Sequence, residues 1–261
     1  MKKLNKHKII LNILALIFFM GIIYSCYSLI MYKIDEKNTN NQLKKIIENV
    51  EVVEIEENSN IQPVEQNDNS NLNLVNADFN KLKSINPDVK GWIVVNGTNI
   101  NYPFVQGNDN SYYLKHSFDK SYNNAGWVFL DYKNNLLNDK NTVIYAHSMR
   151  NKTMFGSLRN ILKNNWLKNS NNHIIKLSTE KENTLWQVFS VYHIKTTSDY
   201  IKTSFNSDNQ FENFINMILK RSTYNFNTNI TKEDRILTLS TCYSNTERLV
   251  LHAKLIKRET K

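Results

Sequence analysis

Between Ile9 and Tyr32 the chain runs for 24 residues without a charge. At about 1.5 Å of rise per residue, a helix of that length crosses the ~30 Å hydrocarbon core of a bilayer. Four lysines (Lys2, Lys3, Lys6 and Lys8) and no acid precede it. A cleaved signal peptide calls for small residues at the end of the run, whereas this one closes on Ile30, Met31, Tyr32 and Lys33. Lipid modification at Cys26 meets the bulky Tyr24 and six further uncharged residues. The run therefore reads as a retained signal anchor over residues 9–32. The excess of lysines before it places residues 1–8 in the cytoplasm and everything beyond Lys33 outside.

Charge divides the remaining chain. Residues 34–76 hold three lysines and nine acids, a net of −6, and residues 77–261 hold 25 basic and 15 acidic residues, a net of +10. A basic outer domain is drawn to anionic wall polymers and lipid headgroups. The cations are scattered, with no basic block or interleaved aromatics, and the domain lies outside the cell, so nucleic acid is set aside. Neither CxxC, HxH nor HExxH spacing occurs, and no metal or cofactor is expected.

Residues 36–57 read as a charged helix, a stalk or a helix packed on the domain, and 58–76 as a polar linker, so that 33–76 joins the anchor to a domain at 77–261. Asp78 is placed to cap a short helix ending before Pro87. Trp92–Val95 and Thr98–Tyr102 flank Asn96-Gly97, a favoured hairpin turn. Further strands are expected at Gly126–Leu130, Thr142–Ala146, His173–Leu177, Leu185–Ile194, Arg235–Ser240 and Arg248–Ile256, with helices at 153–168 and 208–220. Eight short strands with two inserted helices suggest a mostly β chain closed into a barrel.

Cys242 is the one cysteine beyond the anchor, and Cys26, inside the bilayer, is no disulfide partner for it. It ends the run Arg235–Cys242, where a loop exposes it, although a small buried core cysteine is the commoner case. A reactive thiol needs a basic or cationic neighbour. His147 follows the apolar strand 141–146 and precedes polar residues, the place where a titratable group faces a cleft. His252 reads as a packed strand residue, and His116, His173 and His193 have no distinguishing context. Arg248 opens the last strand six residues after Cys242. An antiparallel pairing of the two strands would return its guanidinium to the thiol.

Three segments in order, Tyr-Ala-His-Ser-Met (145–149), Thr-Leu-Ser-Thr-Cys (238–242) and Arg-Leu-Val-Leu-His (248–252), resemble the sortase family. The resemblance covers about residues 77–256. An N-terminal helix, Asn-Ile-Asn-Tyr-Pro (99–103), Asp-Asn-Ser-Tyr-Tyr-Leu (109–114) and a helix inserted before the catalytic strand point to class B. It implies an eight-stranded barrel and a membrane-anchored cysteine transpeptidase of Gram-positive bacteria. Cys242 would be the nucleophile, His147 the acid and base, and Arg248 the group that holds substrate and oxyanion. Ser240, Thr196, Tyr200, Asn110 and Leu114 match substrate-pocket positions. The implied partners are secreted proteins bearing a C-terminal sorting signal and a peptidoglycan amine. The loop after Cys242 is shorter than in many class B members. A thiol hydrolase without transfer and a non-catalytic surface module are the competing readings.

Overall fold

The computed structural model describes residues 6–55, 72–136 and 138–261. Most of the expected linker and the first residues of the expected cytoplasmic tail lie outside the described residues. Helix α1 (Lys6–Asn49) continues through the apolar run without a break. It stops short of the expected position 57, and β1 (Val52–Ile55) follows it. β1 pairs antiparallel with β2 (Leu74–Ala77), so the end of the expected linker is a strand. Asp78 caps α2 (Phe79–Ile85), accepting hydrogen bonds from the amides of Asn80 and Lys81.

The other strands are β3 (Val89–Val95), β4 (Asn101–Val105), β5 (Phe129–Leu130), β6 (Asn141–Tyr145), β7 (Ile174–Thr179), β8 (Glu182–Lys195), β9 (Ile236–Cys242) and β10 (Glu247–Thr260). They close into a barrel in the order β10, β8, β7, β3, β4, β5, β6, β9. Closure removes the open sheet edges that would otherwise invite aggregation. Two neighbours run parallel, β4 with β5 and β6 with β9. The β3–β4 turn depends on Gly97, whose φ of 70° is left-handed and whose missing Cβ would lie 2.4 Å from the Asn172 side chain.

Trp92, Trp127, Tyr102, Phe104 and Phe118 belong to the main buried core, which joins the barrel to the segments packed on it. Outside it, α4 (Asp208–Arg221) lays Phe211, Phe214, Ile215 and Ile218 over Phe189, Tyr192 and Val250. That is the amphipathic pattern its sequence predicts. The expected helix over 153–168 is divided into a 3₁₀ helix at Gly156–Leu162 and a short α3 (Asn164–Leu167). Two features divide it: the left-handed backbone of Lys152 and Met154 delays the start, and the extended Lys163 (ψ 140°) interrupts the middle.

Candidate active site

The site is built by strand register. Cys242 is the last residue of β9, and its cross-strand partner on β10 is Arg248. Directly opposed residues of antiparallel strands stand about 4.5–5.5 Å apart at Cα, so the short loop does return the arginine to the thiol. On the other side of β9, the parallel pairing with β6 sets Tyr145 against Ser240. Two residues further along each chain, that register brings His147 level with Cys242. Thr241 fastens this end by donating its hydroxyl to the Ala146 carbonyl at 2.7 Å. The thiol thus sits between a histidine and an arginine carried by its two neighbouring strands.

His147 Nε2 donates to the Leu114 carbonyl at 2.8 Å. A carbonyl only accepts, so the bond fixes the tautomer and leaves Nδ1 as the nitrogen available for proton transfer. Cys242 is exposed. Arg248 is half-buried, and one of its terminal nitrogens donates to the Glu247 carbonyl at 3.1 Å.

These three residues border a cleft of about 600 Å³, whose wall also holds Ser240, Thr196, Tyr200, Asn110 and Leu114. All eight residues singled out in the sequence therefore meet at one place. Their supports are specific. Tyr200 shares a 2.9 Å hydrogen bond with Ser240, and burial raises its phenol pKa, keeping it neutral. The turn that carries Tyr200 is tied to the end of α4 by a two-pronged Arg221–Asp199 pair of 2.9 and 2.6 Å. Asp199 is held below the usual carboxylate range, first by that hydrogen bond and then against the opposing effect of burial.

Three residues not foreseen complete the cleft's supports. Tyr145 lines the cleft and donates to Asp131 at 2.8 Å, and Asn110 donates to the same carboxylate oxygen at 2.9 Å. Asp131 is buried and aims both groups. Burial, followed by the Asp131 charge, pushes the Tyr145 phenol pKa far up. Period-two alternation before His147 could have revealed Tyr145. Arg159 lies farther out. Its Nε donates to the Ser148 hydroxyl at 3.1 Å, a terminal nitrogen donates to the Tyr243 carbonyl, and its guanidinium lies 4.9 Å from the Tyr243 ring centre. It spans the residues that follow His147 and Cys242, and no sequence signal marks it. Among the described residues no three His, Cys, Asp or Glu side chains gather into a metal-binding group.

Residues 93–256 match the sortase domain family. The chain is 38% identical to Sortase B of Staphylococcus aureus over 188 residues, covering 70% of this chain and 76% of that protein. The Clostridium perfringens sortase B crystal structure superposes with a TM-score of 0.66 at 37% identity, over 69% of this chain and all of that one. The S. aureus sortase B–substrate complex superposes at 0.64 with 38% identity, over 69% and 84% of the two chains. With an eight-stranded barrel that brings together a cysteine and an arginine on paired strands and a histidine just beyond the end of a third, this chain belongs to the sortase family, in class B.

Proposed function

We propose that this sortase cleaves the C-terminal sorting signal of secreted proteins after a threonine and joins the new acyl end to a peptidoglycan amine. The register that sets Cys242 between His147 and Arg248 carries this reading. The Cys242 sulfur, as thiolate, attacks the threonine carbonyl. The oxyanion forms within reach of the Arg248 guanidinium, which offers several N–H donors in a fixed plane. When the C–N bond breaks, His147 gives its proton to the departing amine, and a thioester remains on Cys242. An incoming amine then attacks the thioester and loses its proton to His147, and the thiolate departs. The thioester keeps the acyl group activated for transfer, which simple hydrolysis would discard.

The cleft walls made by Asn110, Leu114, Thr196, Tyr200 and Ser240 receive the sorting peptide in this scheme. The chain divides into a cytoplasmic tail (1–8), a membrane anchor (9–32), a connecting segment (33–76) and a catalytic domain (77–261) held outside the cell. The apolar helix near the N-terminus supports this topology.

The test is product analysis by mass spectrometry, using the full chain in detergent with a panel of sorting peptides and a saturating amine. Amide product that vanishes in Cys242→Ala supports transpeptidation. Free acid alone makes the protein a hydrolase. Full activity of Cys242→Ala would remove the thiol from the chemistry altogether.

A further inference from the structure

The outer half of α1 does not lift the domain away from the anchor. It lies along it. Burial on α1 begins at Met31 and Tyr32, inside the uncharged run, and continues through Asp35, Thr39, Leu43 and Ile46, with Val50 buried just past its end. The spacing of three or four residues marks one helix face laid against the domain. Polar contacts fix its height. Asp35 accepts from the Asn124 side chain at 2.8 Å and from its amide at 3.3 Å. Thr39 accepts from Asn123 at 3.0 Å, and Gln42 accepts from the Phe118 amide at 3.0 Å. Asp35 is three residues beyond Tyr32, only about 4.5 Å of helix rise. No spacer therefore separates the bilayer end of the helix from the body of the domain.

The surface brought down to that level has the chemistry of a headgroup interface. Tyr122, 62% exposed, and Met149 face Tyr24, Tyr27, Met31 and Tyr32 across a groove of about 360 Å³. Arg150 and Lys152, next to Met149, are exposed. Tyrosines concentrate at the membrane–water boundary, and cations there are attracted to anionic lipid.

We infer that the catalytic domain sits directly on the outer leaflet, with the 118–124 and 148–154 loops forming a surface that binds an anionic bilayer. This rests on the reading of residues 9–32 as a membrane anchor. His147 is two residues from Met149, within about 7 Å along the chain. The catalytic loop and the lipid-facing loop are thus one segment, and a substrate held in the membrane meets the cleft at the headgroup level.

The test places single spin labels on the full chain, in a Cys26→Ser, Cys242→Ala background, in nanodiscs containing phosphatidylglycerol. Labels go at Phe18 in the anchor, at Tyr122 and Arg150 on the proposed surface, and at Lys181. Lys181 is a control at the far end, since β1, beyond the last turn of α1, holds β7 through a 2.7 Å Glu54–Lys176 ion pair. The readout is the ratio of collisions with oxygen to collisions with a water-soluble nickel chelate, and a circular dichroism melt checks each labelled fold. A ratio several-fold higher at Tyr122 and Arg150 than at Lys181 is the expected result. Phe18 reading as lipid while Tyr122 and Arg150 match Lys181 overturns the docking surface and leaves the anchor standing. Phe18 reading as water overturns both.

Discussion

Two histidines flank the same strand of this barrel and live in opposite worlds. His147 follows β6 and His252 lies in the middle of β10, and both strands pair with β9. His147 is half-exposed on the cleft, with one nitrogen held by a carbonyl and the other uncommitted. His252 is fully buried, and both its nitrogens are engaged. Its network can be oriented from the acceptors. The Asn141 carboxamide oxygen accepts the Thr238 hydroxyl at 2.6 Å. His252 Nδ1 must then donate to Thr238, at 2.9 Å, and its Nε2 accept from Tyr192, also at 2.9 Å. Burial, followed by the Arg221 charge, lowers its pKa from 6.5 to about 3, so it stays neutral. In the proposed reaction the same residue type serves proton transfer at a strand end, and in the fold it serves structure in a strand middle. What separates the roles is one uncommitted nitrogen.

Substitution should divide these roles cleanly. His147→Ala is expected to lower kcat/KM by roughly 10²–10⁴, the usual worth of a general acid–base group, with an unchanged melting temperature. Cys242→Ala should remove turnover entirely. His252→Ala should do the reverse, keeping turnover per folded molecule close to the parent while leaving the buried Tyr192 hydroxyl without its acceptor. A stranded buried group of this kind costs about 1–3 kcal/mol. At roughly 2–4 °C per kcal/mol for a domain of this size, the melt should fall by about 2–12 °C. If His252→Ala lost activity as heavily as His147→Ala while staying folded, the division would be wrong. Steady-state kinetics alongside calorimetry decides.

Acid gives a milder probe of the same contrast. The His252 pKa is lower in the folded state than its 6.5 reference, so between about pH 6.5 and 3 the unfolded chain binds a proton that the folded chain refuses. Its contribution is therefore complete above pH 6.5 and falls as pH drops, by up to about 1.4 kcal/mol per unit. His173, lowered by burial, acts with the same sign. Subtracting the melting temperatures of His252→Gln from those of the parent between pH 7 and 4 isolates the His252 part. A difference that does not shrink on acidification would contradict the buried, neutral assignment.

The cleft was more legible in the sequence than its supports. Cys242 and Arg248 could be paired because a short loop between two apolar strands leaves little choice but antiparallel return. His147 could be placed because an apolar strand ending in a titratable residue points to a rim. Thr196, Tyr200, Asn110 and Leu114 came from family resemblance, since nothing in their spacing alone brings them to the thiol. Asp131 was missed because its meaning lies in contacts to positions 110 and 145, and such pairings leave no local pattern. The docking of α1 stayed one of two alternatives, beside a free stalk, for the same reason. Its apolar stripe at 43–50 was visible, but the bonds from Asp35, Thr39 and Gln42 reach residues some 80 positions away. The division of the 153–168 helix depended on left-handed turns at Lys152 and Met154, residue types with no preference for that conformation.

Arg159 tests the smallest contribution, that of a residue which touches neither reacting group. It bridges Ser148, beside His147, and Tyr243, beside Cys242, and its guanidinium covers the Tyr243 ring. On the other side, His193 stacks on Tyr243 at 4.6 Å between ring centres. Losing the bridge frees two loops whose relative position sets the distance between base and thiol, and misplacements of that kind reduce the rate of the chemical step. Arg159→Ala should therefore lower kcat by about three- to tenfold, well below the limit for misplaced groups, with KM and melting temperature near the parent values. Arg159→Lys should not restore the rate, because a single ammonium does not reproduce two directed hydrogen bonds and a stacked plane. A rise in KM at constant kcat would instead make Arg159 a substrate contact. An unchanged rate would mean that strand register alone holds His147 against Cys242, and that the contrast between the two histidines is set entirely inside the barrel.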